Sequence, residues 1–308
     1  MTGDEELARR FERRRGHLRA VAYRMLGSLS EAEDAVQETW LRLGRTGADG
    51  IDNLSGWLTT VVSRVCLDML RSRTARREEP YGHHAPEAAG AGGPEEEALL
   101  ADSVGVALLV VLGTLSPPER VAFVLHDLFA VPFDRIAAVV DRSQPAAKKL
   151  ASRARGKVRG APSVSGAELE RHRSVVEAFL AAARGGDLTA LLDVLAPDVV
   201  RRADPAALPA GVPAELRGAR AVARGTVALR DRARSAAVAL VGGRVGAVVA
   251  PRGRLLFVLD ITVRDGRIAA YDVITAAALP RELPLAVLDA PAAAGTSTRA
   301  GAGGAPDE

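Results

Sequence analysis

FDRIAAVVDRSQPAAKKLASRARGKVR, residues Phe133 to Arg159, is the stretch on which the reading of this chain turns. Phe133, Ile136, Ala137 and Val140 recur at helical spacing, Asp141-Arg142 break the apolar pattern, and Ser143 stands where an N-cap restarts a helix. Ala147, Leu150 and Ala154 carry an apolar face through the second segment. Two short helices joined by a tight turn read as a helix-turn-helix, whose second helix enters the major groove of DNA. From Arg142 to Arg159 there are seven basic residues (Arg142, Lys148, Lys149, Arg153, Arg155, Lys157 and Arg159) and no acid, and the three lysines among them are the only lysines in the protein. A stripe of one sign is an electrostatic footprint for phosphates. The plain alternative is a solvated basic helix in an all-α domain.

Upstream, Ser30 and Glu33 have the spacing of a capping box, followed by Ala32, Val36, Trp40 and Leu43 on one face and Glu31, Asp34, Gln37 and Glu38 on the other. An acidic face of this kind is either solvent cover or a docking surface for a basic partner. The next helix, from about Leu54 to Arg77, buries Trp57, Leu58, Val61, Val65 and Leu70 and ends in Arg71, Arg73, Arg76 and Arg77. Cations in a last turn suit the helix dipole, so these arginines have a structural explanation as well as a phosphate-binding one.

Together these segments resemble a known family. Asp34-Ala-Val-Gln37-Glu38-Thr-Trp40, Trp57-Leu58 with Asp68-Met-Leu70-Arg71, and Ser143 with Ser152-Arg153-Ala154-Arg155 are similar to regions two and four of extracytoplasmic-function sigma factors of bacterial RNA polymerase. Val124-Leu-His126-Asp127 and Leu150-Ala-Ser152-Arg153-Ala154-Arg155 resemble the subgroup that carries a SnoaL-like C-terminal extension. The resemblance runs from about residue 7 to residue 288. It implies that Asp34, Gln37 and Glu38 dock on the beta-prime clamp of core RNA polymerase, with the beta flap as a further contact. It implies that the loop from Gly44 to Asn53 and the helix from Trp57 to Arg77 recognise and open the minus-ten element, leaving melted promoter DNA to be held as single strand. Arg64 stands where many members carry asparagine, and an arginine there can hold phosphate; Arg71, Arg73, Arg76 and Arg77 join it as DNA contacts. At the other end, the resemblance places Ser143, Gln144, Lys148, Lys149, Ser152, Arg153 and Arg155 on the double-stranded minus-thirty-five element, with base edges read from the first turns of the helix and Arg155, Lys157 and Arg159 touching backbone.

Between the two basic helices, Glu78, Glu79, Glu87 and Glu95-Glu96-Glu97 mark an acidic link with prolines and glycines, expected to be an irregular tether. His83 and His84 have no further clustered ligands, so no metal is expected. The single Cys66 excludes an internal disulfide and points to a reducing cytoplasm. No segment has the roughly eighteen apolar residues of a bilayer span, the N-terminus is charged and not signal-like, and the net charge of +3 conceals a strong separation of acidic and basic patches.

After Arg159 the pattern changes. A Gly/Pro/Ser linker (Gly160 to Gly166) leads to Val175, Val176, Phe179 and Leu180 at helical spacing, then a short helix around Leu188 to Leu195. Apolar runs follow at Ala236 to Ala250, Leu255 to Val263 and Ile268 to Thr275, with Asp265-Gly266 as a hairpin signal. Helices followed by a curved antiparallel sheet predict an α+β cone of the SnoaL-like kind. The expected organisation is therefore multi-domain: a region-two helical bundle over 1–78, an acidic link over 79–98, a region-four helix-turn-helix over 99–160, a linker over 161–167, a SnoaL-like α+β domain over 168–288 and a disordered tail over 289–308. In the subgroup this extension regulates the sigma core in cis, without a separate anti-sigma protein. Asp193, Asp198, Asp204, Asp260 and Asp272 are the acids available to an enzyme of this fold, and Tyr271 is the domain's only tyrosine. No completing residue accompanies them, so neither catalysis nor a cofactor is expected, while a small-molecule ligand in this domain stays open. The alternatives are a helix-turn-helix regulator outside the sigma class with a ligand-sensing domain, or an isomerase-like or cyclase-like enzyme fused to a DNA-binding domain.

Overall fold

The computed structural model describes residues 3–47, 50–78, 105–280 and 282–288; the expected acidic link with His83 and His84, and the expected tail, lie outside the described residues. Three helices form the first unit: α1 (Gly3–Leu26), α2 (Leu29–Thr46) and α3 (Leu54–Glu78). Leu18, Val21, Tyr23, Met25, Leu43 and Leu58 are fully buried between them. The start of α2 differs from expectation. Ser28, not Ser30, caps the helix, its hydroxyl accepting from the Glu31 N–H at 3.5 Å, because Leu29 is already helical and buried. Glu33, freed from capping, accepts from Arg15 and Arg19 of α1 instead.

The second unit is built from α4 (Val106–Thr114), α5 (Pro117–Phe123) continued by a π-helical turn (Val124–Leu128), α6 (Phe133–Val140) and α7 (Gln144–Arg159). A true capping box starts α5: Glu119 accepts from both the N–H and the hydroxyl of Ser116. The turn between α6 and α7 forms as the sequence predicts. Asp141 closes α6 in the left-handed conformation at φ 54°, tolerable for aspartate, and Ser143 caps α7 by accepting from the Ala146 N–H at 3.4 Å. Ala147, Ala151, Ala154 and Val158 make the buried stripe of α7, and their small size lets the helix approach α5 and α6 closely.

The C-terminal domain comprises α8 (Gly166–Gly185), α9 (Leu188–Val194), β1 (Leu195–Ala203), β2 (Glu215–Arg217), α10 (Ala219–Ala228), α11 (Arg230–Ala233), β3 (Ala236–Val241), β4 (Arg244–Val249), β5 (Phe257–Arg264), β6 (Arg267–Thr275) and β7 (Leu285–Ala286). The strands lie in one sheet in the order β2-β1-β6-β5-β4-β3-β7. The sheet is mixed, which corrects the expected antiparallel one: β1 runs parallel to β6, with Arg201 beside Tyr271 and Arg202 beside Asp272. The chain leaves β1 through β2, α10 and α11 before the β3–β6 meander begins, so β1 returns to the meander's far edge in the direction of its last strand. Asp265-Gly266 makes the β5–β6 turn with both residues at positive φ, as a two-residue hairpin of this twist requires.

Strand alternation divides the sheet's two faces between two cores. Ala236, Leu240, Val245, Ala247, Val249, Phe257, Leu259 and Ile261 face Val176, Phe179 and Leu180 of α8. Ala239, Val241, Val248, Ala250 and Val258 face away and join the core of the helical units. The element between is α4, whose Ala107 to Leu112 are all buried, the signature of a helix that is apolar all round. The last segment then closes the arrangement. β7 pairs with β3, and the Val287 N–H donates to the carbonyl of Val158 at 2.9 Å, so a strap from the C-terminal domain caps the end of α7.

Candidate nucleic-acid interface

On α7, Gln144, Lys148, Lys149, Ser152 and Arg153 are all exposed, with Arg142 at its start and Arg159 at its end exposed as well. None of these cations has an acidic partner among the described residues; Lys148 lies 5.9 Å over the Phe133 ring. Burial of the alanine stripe fixes which way this face points. Ser143 is spent as the N-cap, which leaves its backbone at the helix start, where phosphates bind well.

Two cations of the same helix are engaged inside the unit. Arg155 donates through Nε to Asp127 Oδ1 at 2.5 Å, and the Asp127 side chain is only 1 % exposed. Lys157 donates to both oxygens of Glu119, at 3.0 and 2.8 Å. Burial alone would raise the Glu119 carboxyl, but hydrogen bonds from Lys157 and Ser116 outweigh it and hold the group below the ordinary range. Both ion pairs fasten α7 to α5 and its π turn. The structure therefore separates Arg155, expected among the DNA contacts, from the open face that carries the others: its Nε is committed to a buried acid. The Val124-Leu-His126-Asp127 motif acquires a physical purpose, since Asp127 anchors Arg155.

The arginines of α3 also divide. Arg71 and Arg76 are exposed, with Asp68 and the Ser72 carbonyl as their neighbours. Arg73 turns back to pair with Glu31 of α2 and to donate to the Leu26 carbonyl, which ties α3 to the α1–α2 junction. Arg77 belongs to α3, and its side chain lies outside the described residues. Arg64 points from α3 to the second unit and donates to the Ala138 carbonyl at 2.9 Å. Around it the first turns of α3 meet α6: the Arg135 guanidinium lies so close to Gly56 that a Cβ there would fall 2.1 Å from it. Phe129 is packed against His17 and Arg24 of α1, and Arg120 donates to the Met25 carbonyl at 2.8 Å. A cleft of about 310 Å³ is left between the units, lined by Asn53, Ser55 and Thr59 on one side and Phe129, Pro132 and Arg135 on the other.

The expected polymerase-docking residues share one face of α2. Asp34 and Gln37 are exposed, and Glu38 is partly covered by its ion pair with Arg42 at 2.8 Å. Leu41, one turn on, was not singled out by the sequence pattern and is 45 % exposed. The signal was available, because Leu41 follows Asp34 by seven residues and Gln37 by four. α2 packs on α1 and α3, leaving this face outward. Cys66 is fully buried in α3, where burial and the neighbouring Glu31 push its thiol upward and make it unreactive.

In the C-terminal domain the five aspartates are spread apart. Asp193 and Asp198 are exposed, Asp204 is held by Thr275 and the Ala206 N–H, Asp260 pairs with Arg244 and Asp272 lies near Arg202. Tyr271 is buried with its hydroxyl on Thr226 at 3.0 Å, and burial raises its phenol. Its neighbour in register is Arg201, also buried, whose Nε has no hydrogen-bond partner among the described residues. No group of three or more potential metal ligands occurs among the described residues, and no helix among them is long and apolar enough to cross a membrane.

Comparison with known proteins finds relatives of the helical units and of the chain as a whole. Models of Sigma-70 region 2 and Sigma-70 region 4 match residues 10–76 and 105–158. The ECF RNA polymerase sigma factor SigJ of Mycobacterium tuberculosis is 40% identical over 277 residues, covering 84% of this chain and 88% of that protein. The probable ECF RNA polymerase sigma factor SigI of the same organism is 39% identical over 194 residues, covering 62% and 67%. The crystal structure of SigJ aligns with 87% of this chain and 96% of its own at 36% identity, with a TM-score of 0.44. With both sigma regions matched in order and the similarity to SigJ extending through the C-terminal domain, this chain belongs to the extracytoplasmic-function family of RNA polymerase sigma factors.

Proposed function

We propose that the chain brings core RNA polymerase to promoters by reading the minus-thirty-five duplex with α7 and the minus-ten element with α3 and the loop before it, and that the C-terminal domain controls this in cis without catalysis. The observation that carries the proposal is the open face of α7: Gln144, Lys148, Lys149, Ser152 and Arg153 are exposed together, and the cations among them have no acidic partner among the described residues. Donors of this kind on the first turns of a recognition helix suit base edges and phosphates. Control in cis is supported by the shared core of the sheet, α4 and the helical units, and by the strap that caps α7. A non-catalytic role is supported by the C-terminal acids, none of which stands beside Tyr271 as a free base.

The packing of the two units also sets a requirement. The two promoter elements are about 25 base pairs apart by their names, or roughly 85 Å at about 3.4 Å per base pair. Units joined by a 2.9 Å hydrogen bond from Arg64 to Ala138 cannot sit on both elements at once. Docking on polymerase must therefore separate them, which requires that core polymerase bind the open form more tightly than the closed one.

Run-off transcription with purified core polymerase, the full chain and a library of promoter fragments tests the reading. Specific initiation is expected. Arg153→Ala or Lys148→Ala should reduce it about five- to 150-fold on matched promoters, as expected for loss of a good base contact, with little change where the minus-thirty-five element is scrambled. Equal losses on matched and scrambled promoters would remove base reading from these residues, and absence of specific initiation would remove the sigma role.

A further inference from the structure

The closed arrangement treats the chain's two DNA-reading surfaces unequally. On α7 the reading turns are open, and the C-terminal domain touches that helix at its far end: Val287 bonds the Val158 carbonyl, and Ala286 lies against Gly160. The helix is thus braced from behind and below, while Arg142, Lys148, Lys149, Arg153 and Arg159 remain exposed. On α3 the situation is reversed. Its first turns meet α6, with Arg135 against Gly56 and Arg64 spent on the Ala138 carbonyl. Single-stranded DNA needs a cationic groove and a stacking surface it can reach, and at these turns α6 stands against that surface, while Arg71 and Arg76 further along α3 stay exposed.

We propose that the free, closed chain is itself a duplex DNA-binding protein, which recognises a single element through α7 without polymerase while being unable to hold melted DNA. The inference rests on the assignment of α7 and α3 as the two readers. It adds an activity to them: the chain can rest on a minus-thirty-five element before polymerase arrives, and polymerase, docking on the outward face of α2, then uncovers the first turns of α3. Because the contacts include several phosphates, binding should weaken steeply with salt, with a log–log slope of about −4.5 for roughly five neutralised phosphates.

The test uses the full chain without polymerase, incubated with a pool of random-sequence duplexes and, separately, with the same pool as single strands, followed by sequencing of the retained DNA. A chain labelled with a fluorophore pair at Glu12→Cys on α1 and Asp134→Cys on α6 reports closure, since both positions are exposed and the buried Cys66 does not compete for label. The expected result is one enriched duplex motif, loss of retention by about five- to 150-fold in Arg153→Ala and in Lys148→Ala, no retention of single strands, and energy transfer unchanged by the bound duplex. Retention without a motif, equal retention of single strands, or transfer that falls when duplex binds would each overturn the proposal. The same preparation is assayed for run-off transcription with core polymerase. Initiation without polymerase-free duplex retention overturns this inference alone, whereas failure in both assays also withdraws the reader assignment on which it rests.

Discussion

Arg155→Ala is expected to lower the stability of the helix-turn-helix by about 3–5 kcal/mol, read as faster native-state hydrogen exchange of the α7 amides. Asp127 is 1 % exposed at its side chain, and of its two oxygens Oδ1 accepts from Arg155 at 2.5 Å while Oδ2 is buried without a partner among the described residues. Removing the guanidinium leaves a buried carboxylate with nothing to offset its desolvation, and breaking a buried pair from one side costs that much. Replacing both residues together by leucine should recover most of the loss, because the apolar pair removes the stranded charge as well. The expected consequence for promoters is uniform weakening on all sequences, since the scaffold of the reader is affected and not one base contact. Unchanged exchange in Arg155→Ala would show that the pair contributes little and would return Arg155 to the DNA-facing set.

Leu41→Glu should reduce affinity for core polymerase by about 30-fold or more, the loss typical of removing an apolar anchor at the centre of an interface. An exposed leucine alone is ordinary. Leu41 differs in standing on the same outward face of α2 as Asp34 and Gln37, with Glu38 and Arg42 paired at its edge. At 45 % exposure it contributes little to the core of the first unit, so the substitution should leave the fold and the duplex binding of α7 intact. Competition for core polymerase between wild type and Leu41→Glu measures the difference. Equal competition would mean that this face of α2 is solvent cover, which was the bland reading of its acidic side.

Six of the helices, α2, α3, α6, α7, α8 and α9, were legible because their signals are local. The break at Asp141-Arg142 followed by Ser143 marked the helix-turn-helix turn to the residue, and Asp265-Gly266 marked the β5–β6 hairpin. Where two local signals competed, the sequence misled: Ser28 and Ser30 both precede acids three residues on, and burial of Leu29 decided for Ser28. β1 escaped notice because Arg201-Arg202 interrupt its alternation, and Arg201 is buried all the same, bonded to the Pro213 carbonyl. The parallel β1–β6 pairing was illegible for a different reason, since it depends on where the chain returns after two helices.

The divided roles of the basic residues lay furthest from view. Charge counting treats Arg153 and Arg155 alike, yet one is exposed and the other holds a buried aspartate two elements away. Arg71 and Arg73 diverge in the same way, one facing solvent and the other tied to Glu31. Helical spacing indicates which residues share a face, but the partner that neutralises a given cation is set by tertiary packing. The same holds for α3: the resemblance assigns it to promoter melting, and only the docking of α6 shows that Gly56 and Arg64 are engaged by the second unit in the closed chain.

That a closed chain is opened by polymerase is the claim on which the account stands, and energy transfer between labels at Glu12→Cys and Asp134→Cys measures it most directly. Adding core polymerase is expected to abolish the transfer as α1–α3 and α4–α7 separate to span the two promoter elements, and Leu41→Glu should require correspondingly more polymerase for the same change. Transfer that stays at its free-chain value in a holoenzyme that initiates transcription would contradict the account, because the two readers would then work while still packed together.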